Sequence, residues 1–226
     1  MRKMKKLALL ALLPLSFSAL AAEEREWIPY KKLLEVTKFD KFYALPAAER
    51  DKVAVYITFA PNNKAIKPAD MALTVVHSGG RTALPVTADG RLSMVPVAKW
   101  IGEDAKIWTQ MPKGEKAAIG FGMNAVLPEG QQWSYASAMG SVPQANAAIK
   151  QVAGALSLFA PSIKSVVFKF AKPAQLKIQA HDGVKQYSSD ARNEIWLKPD
   201  DMLLKENPLM VASERPREVE LETDTK

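Results

Sequence analysis

The residue types that enzymes use for covalent, acid–base or metal chemistry are scarce in this sequence. Histidine occurs twice, at His77 and His181, and cysteine is absent. Neither histidine has the HExxH spacing or a second histidine nearby, so a metal site would need ligands from distant parts of the chain. The lack of cysteine excludes thiol nucleophiles, thiolate metal sites and disulfide bonds. The sequence thus predicts no catalytic residue, no metal site and no cofactor, and it does not favour an enzyme.

Motifs that position a nucleophile or a phosphate group are missing from the sequence as well. The chain has no GxSxG elbow and no GxxxxGK[ST] loop. His181 and Asp182 are adjacent and precede Gly183, which is typical of a turn rather than of a base with its orienting acid. A pair of carboxylates needs only proximity in space to hydrolyse a glycan. A carboxylate-dependent hydrolase that acts on envelope glycan or peptide is therefore one alternative.

Two sets of residues are candidates for binding. The first is a lysine-rich stretch in which Asp182 is the only acid; its members are Lys164, Lys169, Lys172, Lys177 and Lys185. A basic sheet face would attract an anionic polymer, although lysines on an edge strand also prevent unwanted strand pairing.

The second set is aromatic and consists of Trp100, Trp108, Trp133, Tyr135 and Trp196. Exposed rings stack on sugars or peptide side chains, whereas buried rings serve the core. The two sets together indicate an envelope protein, an anionic polymer or a glycan polymer as the partner.

The charge of the chain argues against nucleic acid as a partner. The formal net charge is +7, from 31 basic and 24 acidic residues. Four of the basic residues lie within the first 21 positions, which contain no acid, so the remainder has 27 − 24 = +3. Proteins that bind nucleic acid usually carry a much larger and clustered excess of Lys and Arg.

The first 21 residues have the organisation of a secretory signal peptide. A basic start at Arg2-Lys3 is followed by an apolar run over 7–17 and by Ala19-Leu20-Ala21, which fits a small-residue cleavage site. The apolar run is shorter than the roughly 20 residues that span a bilayer. We therefore expect a product without a membrane span after cleavage, located in the periplasm or, alternatively, secreted.

The stretch 53–127 has the pattern of a β-framework. Val53, Val55, Ile57 and Phe59 alternate with other residues at the period of two that places one set of side chains on one face of a strand. Ser78-Gly79-Gly80 and Asp89-Gly90 separate the apolar runs, as in hairpin turns. Between 117 and 127, bulky residues alternate with Gly120 and Gly122, which favours close packing or, if a ligand groove exists, its location on the glycine face.

Helices are predicted on both sides of this framework in the sequence. Aromatic and aliphatic residues at spacings of three and four over 30–45 indicate a short helical cap. The stretch 143–160 predicts one long covering helix, with Gly154 inside it at a close approach to a neighbouring surface. Alternating residues over 165–213 predict a return to strands, and the charged residues 214–226 predict a poorly ordered tail.

These patterns together predict an α+β fold, mainly antiparallel β and sandwich-like, with an N-terminal helical cap and one long covering helix. The expected organisation is a signal peptide (1–21), one mature domain (22–213) and a charged tail (214–226). The leading functional prediction is a soluble envelope protein that binds a partner without catalysis through a sheet face or edge. A structural subunit of an envelope assembly is a third alternative, and the sequence leaves the oligomeric state open.

Overall fold

The computed structural model describes residues 23–223, without the side chains at 156, 157 and 159. The predicted signal peptide over 1–21 lies outside the described residues. The described strands are β1 (Arg25–Pro29), β2 (Val53–Pro61), β3 (Thr74–His77), β4 (Gly80–Ala83), β5 (Arg91–Leu92), β6 (Lys106–Thr109), β7 (Ala117–Ala125), β8 (Gln132–Ser134), β9 (Ser165–Lys169), β10 (Gln175–Ala180), β11 (Gly183–Ser188), β12 (Glu194–Leu197), β13 (Leu209–Ala212) and β14 (Glu218–Glu222). The α-helices are α1 (Tyr30–Thr37), α2 (Phe39–Ala44), α3 (Ala98–Gly102), α4 (Tyr135–Ala138), α5 (Ser141–Ala153) and α6 (Asp201–Glu206).

The strands form three antiparallel sheets. Two of them have four strands, in the orders β1-β6-β3-β4 and β11-β10-β13-β8, and the third has six strands in the order β12-β9-β14-β7-β2-β5. The pairs that connect these strands are antiparallel. The predicted α+β class with mainly antiparallel β-structure is thereby confirmed.

The six-stranded sheet has an apolar face and a polar face, as the alternation in the sequence requires. Val53, Val55, Ile57 and Phe59 of β2 are buried on one face. Tyr56 points to the other face, since successive side chains of a strand alternate. β2 pairs with β7 at nine positions, from Val53–Ala125 to Pro61–Ala117. This long pairing between β2 and β7 stabilises the six-stranded sheet.

Helices α1, α2 and α5 cover the apolar face. Helix α5 contacts β2, β7 and α2, and helix α1 contacts β7. Lys38 separates α1 from α2 because its φ of 57° is in the left-handed region, which ends one helix and starts the next. The N-terminal helical cap and the covering helix are therefore both present.

The covering helix is shorter than the sequence predicts. It runs over Ser141–Ala153 and is followed by a 3-10 segment at Gly154–Phe159. Gly154 has a φ of 56° and ends the helix, and a Cβ at this position would meet nothing within 4 Å. The prediction of a helix through Gly154 with a close approach is wrong, because this glycine is needed for its backbone conformation rather than for its small size.

The predicted poorly ordered tail is wrong over its middle part. Residues 218–222 form β14, which lies between β9 and β7 in the six-stranded sheet. The alternation of Glu218, Glu220 and Glu222 with Val219 and Leu221 is that of a strand with one charged and one buried face. The high charge of the segment masked this period of two.

The turn at Asp89-Gly90 does not form the predicted hairpin between neighbouring strands. β5 follows this turn and pairs with β2, whereas the preceding strand β4 belongs to a different sheet. Strand β4 begins at Gly80, because the turn after His77 is only two residues long. N-terminal strand β1, which pairs with β6, is not predicted from the sequence.

Candidate functional site

An apolar cleft of about 530 Å³ lies between the helices and the apolar face of the six-stranded sheet. The floor is formed by β2 and β7, one wall by the α1–α2 junction, and the other wall by α5 and the segment after it. The residues that line this apolar cleft are Val36, Thr37, Lys38, Phe39, Phe42, Val55, Phe121, Met123, Ala148, Ile149, Val152, Ala153, Ala160 and Pro161. Its size is that of pockets that bind small molecules.

Local sequence explains why space remains between the helices and the sheet. Helix α5 faces the cleft with Ala148 and Ala153 beside Ile149 and Val152, and alanine side chains fill much less volume than the other two. The left-handed residue Lys38 turns α2 away from α1, so that Phe39 and Phe42 line the opposite wall. Close packing at this face would need larger side chains on α5.

The apolar cleft has almost no polar groups that a ligand would need to satisfy. The hydroxyl of Thr37 donates to the backbone oxygen of Leu33 at 2.8 Å. Lys38 is the ionisable residue among the described lining residues. At the mouth, Val36 is 51% exposed and Phe121 is 46% exposed. Exposed apolar side chains that border an apolar concavity are typical of a binding site for an apolar group.

A second space of about 390 Å³, here called the seam chamber, adjoins the apolar cleft. The two spaces share the lining residues Phe121, Met123, Ile149 and Pro161. The seam chamber lies where β7 and β14 separate: these strands are paired at a single position, Asn124–Glu220. Strand β14 pairs with β9 at five positions, so one of its sides is firmly attached and the other is largely open.

The opposite face of the sheet carries a charged cluster formed by Arg91, Lys169, Glu218 and Glu220. Arg91 forms ion pairs with Glu218 and with Glu220, the latter at 3.3 Å between Nη2 and Oε1. Lys169 forms an ion pair with Glu220 and lies 3.8 Å from Glu218. Each of the two glutamate carboxylates is thus paired with both Arg91 and Lys169. A polar hollow of about 650 Å³ borders this cluster.

Two polar side chains of β2 and β7 extend the charged cluster across the open seam. The Tyr56 hydroxyl donates to Glu220 at 2.9 Å, and the amide of Asn124 donates to Glu218 at 2.9 Å. The guanidinium of Arg91 lies over the Tyr56 ring, 4.5 Å from its centroid. These contacts replace part of the missing backbone ladder between β7 and β14.

Glycine at position 122 is required for this arrangement. A Cβ built there would lie 2.3 Å from the Tyr56 ring, so the ring occupies the space of a side chain. The glycine face of β7 is therefore filled by β2 side chains, and the apolar cleft lies on the opposite face, beside Phe121 and Met123.

The cluster changes the acidities of its members. Burial raises the pKa of Glu220, but hydrogen bonds from Lys169 and Tyr56 and the charges of Lys169 and Arg91 outweigh burial, so its pKa lies below the usual value. Burial, together with the Glu220 charge, raises the pKa of Tyr56. Glu220 is thus held as a carboxylate and Tyr56 as a neutral phenol, which is unsuited to a general acid at Glu220.

His77, Ser78 and Glu103 lie close together, but they do not have the connections of a catalytic triad. The hydroxyl of Ser78 donates to Glu103, not to the histidine. His77 contacts Thr82 through Nε2 at 2.9 Å and accepts from the backbone N–H of Gly79 through Nδ1 at 3.1 Å. A triad requires the serine to donate to the imidazole. The arrangement therefore serves the β3–β4 turn.

The candidate lysines are not brought to one surface. Lys169 belongs to the charged cluster, and Lys172 pairs with Glu214 at 3.3 Å. Lys177 and Lys185 lie on opposite faces of the β10–β11 pair, because Lys185 faces Ile178 across the ladder and Lys177 faces Gln186. Lys164 is exposed just before β9.

The candidate aromatic residues are likewise not brought together: Trp108, Trp133 and Trp196 lie in three different sheets, and Trp100 and Tyr135 lie in helices α3 and α4. Trp133 and Tyr135 are 2% and 1% exposed. Trp100 stacks on His77 with 4.9 Å between ring centroids, Trp108 lies under Arg81, and Trp196 donates to Glu194 at 3.2 Å. The five rings do not form a common stacking surface.

Sequence reasoning missed the residues of the apolar cleft. Phe121 and Met123 were visible as the bulky partners of the glycines in β7, but their period of two also fits an ordinary core strand.

Within residues 23–223, no group of three or more His, Cys, Asp or Glu side chains is placed to hold a metal ion. Over the same range, no helix has the length and apolar character to cross a bilayer.

Comparison of the chain with protein-family models, with curated proteins and with solved structures gave no match.

Proposed function

We propose that this protein is a non-catalytic binding protein whose ligand places an apolar tail in the apolar cleft. The single observation that carries the proposal is the cleft itself: about 530 Å³ of space between α2, α5 and the sheet, lined by apolar side chains. Burial of an aliphatic chain there would contribute about 0.8 kcal/mol for each methylene group. Few polar groups of the protein would lose water in exchange.

The proposed role is binding without catalysis, as expected from the sequence, but the proposed ligand differs from the expected one. A polymer or protein partner held on a sheet face would need an extended basic or aromatic surface, and the candidate residues are distributed over separate surfaces. The ion pairs of Glu218 and Glu220 and the lowered pKa of Glu220 speak against a hydrolase based on these two carboxylates. We propose the periplasm as the site of action on the strength of residues 1–21 alone.

Fluorescence titration with N-phenyl-1-naphthylamine tests the proposal, because this neutral apolar dye brightens when it leaves water. We expect a saturable increase with the wild-type protein. The variant Val152→Trp places a large ring on the wall of the cleft and should weaken binding by about tenfold or more, equivalent to about 1.4 kcal/mol.

Val184→Trp is the matched control, because Val184 is 64% exposed on β11, in a different sheet. This variant should bind the dye like the wild type. Circular dichroism and thermal unfolding of both variants establish that they are folded. A wild-type protein that does not bind the dye, or equal binding by a folded Val152→Trp variant, contradicts the proposal.

A further inference from the structure

Strand β11 forms a long open edge of the sheet β11-β10-β13-β8. Within the described residues it pairs with β10 alone. With 6 residues it is longer than the other strands that end a sheet, β1, β4, β5, β8 and β12. None of its residues is buried. A long exposed strand edge is a template for pairing with another strand.

The hydrogen bonds to β10 show which backbone groups of β11 point to the open edge. The Ser189 N–H donates to the Ala174 oxygen at 2.9 Å, in the register of the β10–β11 ladder. Because hydrogen-bonded and non-hydrogen-bonded pairs alternate along an antiparallel ladder, the odd-numbered residues of β11 bond to β10. The N–H and C=O groups of Val184, Gln186 and Ser188 therefore point away from it.

A second copy of this chain can pair with this edge through its own β11. Two antiparallel copies of one strand are related by a twofold axis normal to the sheet, and opposite side chains lie on the same face. Each residue must then face one of the same parity. The two such registers that pair most of the strand are centred on Lys185 and on Gln186.

Charge and hydrogen bonding favour the register centred on Gln186. Centring on Lys185 places two lysines directly opposite each other, which is unfavourable. Centring on Gln186 places Lys185 opposite Tyr187, and Val184 opposite Ser188. All three outward-facing residues then form hydrogen-bonded pairs. The two Gln186 amides meet across the axis, where each can donate and accept.

The charge of Lys185 does not keep this edge apart. Lys185 is the charged residue of β11, and its Nζ lies 3.6 Å from Asp182 in the preceding turn. In the register centred on Gln186, its aliphatic stem and ammonium group meet the Tyr187 ring of the second copy, a favourable contact for a cation.

We propose that β11 is a self-association edge, which joins two copies of this chain in the register centred on Gln186. The two four-stranded sheets become one continuous sheet. A single strand pair buries less surface than a standard protein interface, so the dimer is weak and its population depends on concentration.

Charge substitutions at the twofold axis test the interface and its register together. Gln186→Lys and Gln186→Glu each place like charges opposite each other in a homodimer, and each should weaken it by about fivefold. An equimolar mixture places opposite charges across the axis, so its heterodimer should be tighter than either homodimer by about fivefold or more. Sedimentation velocity from micromolar concentrations to about 1 mM measures these constants.

Gln179→Lys is the matched control, because Gln179 is exposed on β10, one strand away from the edge. This variant should dimerise like the wild type. Gln186→Pro removes the outward N–H without removing a hydrogen bond to β10, and proline is tolerated at such edge positions. Dimerisation of this variant should be lost while its circular dichroism stays that of the wild type.

A wild type that remains monomeric at about 1 mM overturns the proposal, even if it captures an extended peptide of another sequence at this edge. Dimers that persist in a folded Gln186→Pro variant overturn it as well. So does a mixture of the two charge variants without preference for the heterodimer, because the axis then does not pass Gln186. The apolar cleft lies against the six-stranded sheet, so dye binding is independent of these outcomes.

Discussion

Tyr56 and Gly122 depend on each other, because the ring of one occupies the space that a side chain at the other would need. The Tyr56 ring lies over Gly122 of β7, and its hydroxyl donates a hydrogen bond to Glu220 of β14. One missing Cβ on β7 thus permits a contact between β2 and β14, two strands that are not neighbours in the sheet.

Gly122→Ala is therefore expected to destabilise the protein by about 1–3 kcal/mol, the usual cost of forcing an extra carbon into a packed site. Its Cβ would lie 2.3 Å from the Tyr56 ring, which must move and weaken the bond to Glu220. Urea unfolding measures the change.

The control for this variant is Gly102→Ala, since a Cβ at Gly102 would meet nothing within 4 Å. In helix α3 this change should leave stability unchanged or raise it by up to about 1 kcal/mol. Equal stabilities of the two variants would show that position 122 does not require glycine.

Glu220 gives stability that depends on pH. Its pKa is lowered in the folded protein, so its contribution is fully present above the unfolded pKa of about 4.3 and is lost as the pH falls through the lower folded value. Glu220→Gln should cost about 1–3 kcal/mol at neutral pH, because Lys169 and Arg91 lose a charged partner. The deficit should shrink in acid.

Urea unfolding of wild type and variant at neutral pH and at a series of acidic values measures this convergence. Glu129→Gln is the control: the Glu129 side chain is 99% exposed, and its change should be within about 0.5 kcal/mol at each pH. A deficit of Glu220→Gln that stays constant from neutral to acidic pH would exclude the ion pairs as its cause.

At the scale of elements, β14 determines the architecture of the six-stranded sheet. It pairs with β9 over Glu218–Glu222 and buries Val219 and Leu221, each 5% exposed. Its charged face completes the cluster with Arg91 and Lys169. The seam chamber exists only because the other side of this strand is nearly unpaired.

A chain that ends at Ser213 should therefore lose cooperative unfolding, although it contains the whole domain that the sequence predicts. Loss of β14 would expose facing sides of β9 and β7 and remove the Glu218 and Glu220 carboxylates that pair with Lys169 and Arg91. Circular dichroism during urea unfolding checks this, with hydrogen exchange of β9 as the second measurement.

Val219→Ala is a milder change at the same strand and serves as the comparison. It keeps the backbone pairing of β14 and should cost about 1–3 kcal/mol with cooperative unfolding preserved. A truncated chain that unfolds at the wild-type urea concentration would mean that β14 contributes nothing to the sheet.

At the scale of the whole molecule, the strands and helices whose apolar residues follow a strict period were predicted correctly. The alternation of Val53, Val55, Ile57 and Phe59 predicts β2, and the helical spacing of Ile149, Val152 and Ala153 agrees with α5. Both follow from local geometry, because side-chain direction repeats every two residues in a strand and about every 3.6 in a helix.

Features that depend on distant partners were not predictable in this way. The high charge of β14 prevented its prediction as a strand. The residue that stabilises these charges, Arg91, lies far away in the sequence. The apolar cleft is a space, and a space arises from how α2, α5 and β7 pack, not from the identity of any one residue. Lys38 and Gly154 direct the chain through positive φ angles, of which only the glycine is suggested by residue type.

The position of β14 also has a consequence for the order of events during synthesis. Of the six strands in its sheet it is the last along the chain, yet it lies between β9 and β7, which are made earlier. Until the ribosome has produced residues 218–222, the strand that joins β9 to β7 is missing. Completion of the sheet must therefore wait for nearly the whole described chain, and its closure depends on contacts of high sequence separation, which form slowly. The protein consequently spends its nascent stage without its central strand.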